Sequence, residues 1–203
     1  MAAVENTVPV IPNGSSVATR SGTFSDDLRR AIDYLAADAA SVAASPEIAQ
    51  HSNIGIVMVS ISYVEALLNE TIQREFRKAS KGGGLRKVLE EAIQNEKNLK
   101  LKRKWNILHD HDLARVRWDN GTAPFEQFVE VQELRSALIH CGSRLPDAAR
   151  IRPALQSLAY RLLIEPDRNS CDGENWVYSF VRAPALAGHI RSVLDAIKLR
   201  LAK

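Results

Sequence analysis

Cysteine is scarce in this 203-residue chain: only Cys141 and Cys171 occur, and they show no paired metal-ligand spacing. That argues against a disulfide-stapled secreted fold or a thiolate zinc site and suits a reducing cytosol, so a cytoplasmic protein is expected. No apolar run approaches the length needed to cross a bilayer, so no membrane partner is expected. The opening "MAAVENTVPVIPNGSSVATRSG" carries Glu5 and lacks a basic stretch ahead of an apolar core, which makes it a poor signal peptide. It is rich in Pro, Asn, Gly, Ser and Thr and reads as a mobile tail over residues 1–22. Beyond it there is no low-complexity tract, and no internal repeat is found. Residues 23–203 are long enough for one domain with a sizeable core.

What is present is ordinary in bulk and uneven in detail. Apolar residues make up 45% and charged residues 25%, as in soluble globular proteins. The net charge of +3 hides a basic segment: residues 71–104 hold eleven Lys or Arg against four Glu, a local +7 that leaves −4 elsewhere. Such an element attracts polyanions, although a solvated lysine-rich helix face would look the same.

Helical periodicity dominates. In "SDDLRRAIDYLAADAASVAAS", Ser25 can cap, two Asp fill the first turn, and Leu28, Ile32, Leu35, Ala39 and Val42 line one face. Pro46 suits a first helical position. From there Ile54, Val57, Met58, Ile61, Val64, Leu68, Ile72 and Phe76 keep helical spacing, widened by Ile56, Val59 and Leu67. So broad a stripe predicts a central helix touched from several sides. Gly82-Gly83-Gly84 stops it. No Gly-Lys-Ser/Thr follows and no strand precedes, so the triplet reads as a connector rather than a phosphate cradle.

A third helix is expected from Leu85, with a continuation that bends before Trp105. Thr122 and Pro124 open a further helix with Phe125, Phe128, Val131, Leu134, Leu138 and Cys141 on its buried face, and Gly142 is placed to end it. "ENWVYSFV" alternates and carries aromatics, which allows a short β-hairpin near residues 160–181. The chain closes on a helix with Leu186, Ile190, Val193, Leu194, Ile197 and Leu201. The expected fold is all-α, a bundle of about five to seven helices.

Candidate chemistry is sparse. "LHDHDL", with His109, Asp110, His111 and Asp112, supplies two ligands as His-x-His and needs a third from elsewhere, so no metal site is assigned. More informative is "EQFVEVQELRSALIHCGSRLP", where Arg135 and His140 stand on the last turns of an apolar helix. Spacing alone decides nothing, because 18 Arg and 5 His give about 0.4 chance matches per fixed gap. Two other near-matches, Arg103 to His109 and Arg182 to His189, duly occur.

The context of "LRSALIH" is distinctive: three amphipathic turns before it, Leu138-Ile139 against the histidine, small residues after. It resembles the HEPN family (higher eukaryotes and prokaryotes nucleotide-binding), whose helical domains carry an Arg, four to six residues, then a His late in one helix. The close likeness covers about Phe125 to Arg144. Ser136 stands where the family usually has Asn or Asp after the arginine. The resemblance implies a cofactor-free endoribonuclease of toxin or phage-defence type, with RNA as partner and, for a toxin, a cognate antitoxin. It also implies a homodimer whose two motifs face one cleft.

The residue chemistry is compatible with that. Imidazole titrates near neutrality, so His140 can take or give the protons of 2′-hydroxyl attack on phosphorus. Arg135 offers a permanently charged fork to phosphate oxygens, and Ser136 a hydroxyl to position a phosphate or a water. Lys102, Arg103 and Lys104 would hold the RNA backbone, and Trp105 would stack on a base. Five residues put Arg135 and His140 about 140° apart on a regular helix, so they converge only if the helix frays at His140 or a second copy completes the site. The bland alternative has His140 capping its helix while Arg135 pairs with Glu130 or Glu133. Two rival functions remain: a non-catalytic module of the same kind binding RNA, a nucleotide or a protein, and a purely structural bundle.

Overall fold

The computed structural model describes residues 22–42, 45–140, 153–165 and 177–201. Eight helices follow one another: α1 (Phe24–Ser41), α2 (Pro46–Lys78), α3 (Gly84–Gln94), α4 (Leu101–Asp110), α5 (Phe125–His140), α6 (Pro153–Leu162), α7 (Val177–Val181) and α8 (Leu186–Leu201). The all-α bundle is therefore what the chain forms, with no strand among the described residues. The expected tail, apart from Gly22, lies outside those residues, as do Cys141 and the helix stop at Gly142.

α1 starts two residues earlier than a Ser25 cap would place it. Thr23, not Ser25, is the N-cap: its side chain accepts from the Asp26 N–H while Asp26 accepts from the Thr23 N–H at 3.2 Å. This reciprocal pair satisfies two donors of the first turn. Ser25 is buried and donates its backbone N–H to Glu70 Oε1 of α2 at 2.9 Å.

α2 begins at Pro46 as expected and runs 33 residues, about 50 Å at 1.5 Å per residue. α1, α3, α4, α5, α7 and α8 all pack on it. Its fully buried Ile56, Val57, Val64 and Leu68 sit on more than one side, which is why its apolar stripe is so broad. At Gly55 an added Cβ would stand 3.0 Å from Leu35 Cδ1, so the absent side chain lets α1 approach closely. Contrary to the expectation that no apolar run is long enough, α2 could span a membrane by length and composition alone. Half of that stretch is buried in the bundle, with Ser52, Asn53 and Ser60 among the buried residues.

The glycine triplet acts as a connector. Gly82 has φ +88°, the left-handed region that glycine enters freely, and Gly84 opens α3. Arg86 reaches back over the Phe76 ring at 4.2 Å and donates to the Phe76 and Ala79 carbonyls, both at 3.4 Å, closing the end of α2. The expected third helix divides in two: α3 ends at Gln94, and α4 begins at Leu101.

The hairpin expectation is overturned where it can be checked. Residues 177–181 of "ENWVYSFV" form α7 with Val177, Phe180 and Val181 buried. Their i, i+3, i+4 spacing serves a helix as well as the aromatic alternation served a strand. Residues 166–176 lie outside the described set. This short helix, with the α3/α4 division, takes the helix number above the expected range.

Named contacts orient the bundle. Ser25 meets Glu70 at one end of α1, and Ser52 bonds Asp38 near the other, so α1 is antiparallel to α2. Asn53 donates to the carbonyls of Val181 at 2.8 Å and Ala183 at 3.4 Å, just ahead of α8. Arg29 on α1 pairs with Asp195 further along α8 at 2.5 Å, so α8 runs parallel to α2. Arg200 near the end of α8 donates to the Ala123 carbonyl at 3.4 Å, just before α5. α5 is therefore antiparallel to both, and its last turns point toward the end where α2 begins.

Candidate functional site

α5 stays helical through His140, so the fraying that would bring the motif together within one chain is not what the structure shows. Arg135 shares a face with buried Phe128 and Val131 and is half-buried, and its Nε is buried with no hydrogen-bond partner. His140 lies about 140° around the axis, on the side of Glu126 and Glu133, and is exposed. Ser136 is half-buried. One chain thus turns its guanidinium and its imidazole to different sides.

The four expected RNA contacts split. Lys102 and Arg103 are exposed and stand free to meet phosphate. Lys104 and Trp105 are each 0% exposed, and their assignment as RNA contacts is corrected. Lys104 is buried to its tip, and its Nζ meets Glu65 Oε1 at 3.1 Å, the carboxylate being half in water. Trp105 belongs to an aromatic cluster. Its ring centroid lies 4.9 Å from Phe125 and 6.0 Å from Trp118, both edge-on, and its Nε1 donates to the Val116 carbonyl at 2.8 Å. With no face open, it cannot stack on a base.

This cluster also measures how far the basic residues stand from the motif. Phe125, touching Trp105, is fifteen residues before His140, or about 22 Å along α5. Lys102 and Arg103 flank Trp105, and the rest of the basic segment continues away from the motif into α3 and the end of α2. Among the described residues, the basic 71–104 segment does not stand beside Arg135 and His140.

A second polar constellation carried no local signal in the sequence. Glu130, 1% exposed, accepts from Arg161 Nε at 3.0 Å, and Arg161 also donates to Glu126 Oε2 at 3.1 Å. Glu130 Oε2 faces His189 Nε2 at 3.8 Å, beyond hydrogen-bond reach. Burial lowers the His189 pKa, the neighbouring Glu130 charge pulls it back up in part, and Arg161 adds to the lowering. The imidazole is therefore neutral at pH 7, and the group joins α5, α6 and α8. Glu130 is engaged by Arg161 here, so it does not take the role of partner to Arg135.

Two clefts open elsewhere. One of about 420 Å³ lies where α1 starts, lined by Thr23, Ser25, Asp26, Glu70, Arg74, Arg77 and Lys198 among others. The other, about 440 Å³, is acidic, with Glu65, Glu70 and Glu96 beside Phe24 and Asn69. Neither includes Arg135, Ser136 or His140. In "LHDHDL", His109 Nδ1 sits 3.2 Å from the Ala114 carbonyl, and no group of three or more His, Cys, Asp or Glu is arranged to hold a metal among the described residues.

No family model, curated protein or solved structure matches this chain. The functional reading therefore rests on the residues themselves, and on one contrast among them. The other cations drawn into the bundle have acceptors. Arg29 has Asp33 and Asp195, Lys104 has Glu65, and Arg161 has Glu126 and Glu130. Arg86 has the Phe76 and Ala79 carbonyls, Arg182 the Gln50 amide oxygen, and Arg200 the Ala196 carbonyl. Arg135 keeps a buried Nε with no partner.

Proposed function

We propose that this chain is a metal-independent endoribonuclease of the HEPN type, acting in the cytosol as a homodimer on RNA. The observation that supports it is the unpartnered, buried Nε of Arg135 on the helix that ends in exposed His140. A buried guanidinium N–H without an acceptor is costly, and a phosphate oxygen would satisfy it. Because one chain turns the pair apart, the reading needs a second copy, with one shared cleft taking Arg135 and His140 from both chains.

In that cleft one His140 removes the 2′-hydroxyl proton as the oxygen attacks the adjacent phosphorus. The bond to the 5′-oxygen breaks, and the other His140, protonated, gives that oxygen its proton. The products are a 2′,3′-cyclic phosphate and a free 5′-hydroxyl. Arg135 holds the extra negative charge on the phosphoryl oxygens in the transition state, and Ser136 positions the phosphate. No cofactor or metal takes part. A toxin or defence effector, restrained by an antitoxin, is the setting this activity fits.

The deciding assay incubates the protein with RNA in EDTA beside Arg135→Ala and His140→Ala. Cyclic-phosphate ends made by the parent and absent from both variants support the reading. Equal cleavage by the variants removes it.

A second reading, binding without cleavage, draws on two observations: the Trp105–Phe125 contact, next to Lys102 and Arg103 in α4, lies about 22 Å along α5 from His140, and serine follows Arg135. It predicts RNA retention in a gel-shift assay with no new ends.

A further inference from the structure

The cleft where α1 starts is a site that the cleavage chemistry does not use. Its walls come from three helices: Asp26 from α1, Glu70, Arg74 and Arg77 from α2, and Lys198 from α8. At about 420 Å³ it has the size of a small-molecule pocket.

The commitments of its charged groups are uneven. Arg74 gives its Nε to Glu75 at 3.0 Å. Arg77 and Lys198 are exposed and form no hydrogen bond or ion pair among the described residues. The helix start is not the attraction, because Thr23 and Glu70 already serve the N–H groups of Asp26 and Ser25. Both carboxylates keep spare acceptor capacity at the mouth, since each oxygen has two lone-pair sites.

That combination selects its ligand. Two exposed cations from different helices, Arg77 with no hydrogen bond among the described residues and Lys198 acting on the Asp26 carboxyl only through space, call for a phosphate or similar anion. Two carboxylates in the same lining repel a bare anion or an acidic peptide but accept hydrogen bonds from hydroxyls, as acidic residues do with ribose in dinucleotide sites. Leu67 and the Thr71 methyl add an apolar strip. We propose that this cleft binds a phosphorylated ribose, its phosphate held between Arg77 and Lys198 and its hydroxyls given to Asp26 and Glu70. The site gives the nucleotide-binding alternative a place and is independent of cleavage at Arg135 and His140.

Isothermal titration of the full chain with AMP, ribose 5-phosphate, 2-deoxyribose 5-phosphate, adenosine and inorganic phosphate tests it. AMP or ribose 5-phosphate binds, and the tighter of the two tells a nucleotide from a free sugar phosphate. The deoxy sugar, adenosine and phosphate each bind at least about tenfold more weakly, as loss of a charged hydrogen bond demands. Arg77→Ala and Lys198→Ala each weaken binding by about tenfold with unchanged circular dichroism, while Lys87→Ala leaves it unchanged. The proposal is overturned if neither sugar phosphate binds, if phosphate alone binds as tightly, or if both cleft variants bind like the parent. Arg135→Ala protein must still bind, which separates failure here from failure of the nuclease reading.

Discussion

The two ends of the bundle carry positive charge in different ways. Where α2 closes and α3 and α4 begin, Arg77, Lys78, Lys81, Lys87, Lys102 and Arg103 stand in water. Where α5 closes, one arginine is half-buried with an unpartnered Nε, and one histidine is exposed after it. The first arrangement holds a polyanion loosely wherever it lands. The second holds charge where desolvation makes it count. About 22 Å along α5 separates Phe125, packed on Trp105 of α4, from His140, well over the Debye length of about 8 Å at physiological salt. On the proposed reading, cations at one end would hold RNA without polarising a phosphate at the other, so affinity and chemistry should respond to different substitutions.

The largest expected effect lies between the ends. Trp105→Ala should cost about 3–5 kcal/mol in urea unfolding, because a sealed indole leaves a cavity, while Lys102→Ala stays within about 0.5 kcal/mol. A stable Trp105→Ala that merely loses RNA affinity would return the ring to the nucleic-acid surface and break the comparison. Next, Arg135→Ala should lower cleavage in EDTA by about 10²–10³-fold, the usual result of removing a transition-state charge donor. Its RNA affinity should change far less.

Glu130→Ala should cost about 2–3 kcal/mol, below the range for a sealed ion pair because Arg161 keeps 30% of its side chain in water. A double-mutant cycle with Arg161→Ala measures that coupling. The paired Lys102→Ala and Arg103→Ala change should flatten the salt dependence of RNA binding by about 0.7 in slope for every phosphate left without its cation, with cleavage per bound RNA unaltered. A fall in turnover instead would mean that the two ends act together.

The smallest effect is a pH slope. The folded His189 pKa lies below its ordinary value of about 6.5 through burial, so the unfolded chain takes up the proton first as pH falls. Stability from this group is intact above that value and declines as pH drops toward the folded pKa. Urea midpoints between neutral and mildly acid pH should show less decline in His189→Gln than in the parent.

Much of the architecture was readable because it is written locally. The stripe of α2, its start at Pro46 and the buried face of α8 follow from i, i+3, i+4 spacing. The same rule could have found Lys104: Leu101, Lys104, Trp105 and Leu108 fall on one face, so the lysine and the tryptophan belong to the core side of α4. Their basic surroundings drew them toward a nucleic-acid role instead. Ser25 failed as a cap because Thr23 and Asp26 form the tighter local pair, while Ser25 answers to Glu70, forty-five positions away. The Glu130–Arg161–His189 group and the cleft by α1 unite residues from helices far apart in sequence. No single stretch announces either. For the Arg135/His140 pair, periodicity gave the angle between them, and α5 keeps it.

The interior position of Lys104 has a use of its own. Its ammonium is sealed while Lys100 and Lys102, a few residues away, are open to water. An amine-acylating reagent would mark the two neighbours and skip the third for as long as the chain stays folded. That skipped amine would be a built-in clock for opening of the bundle, read by mass spectrometry from one short peptide.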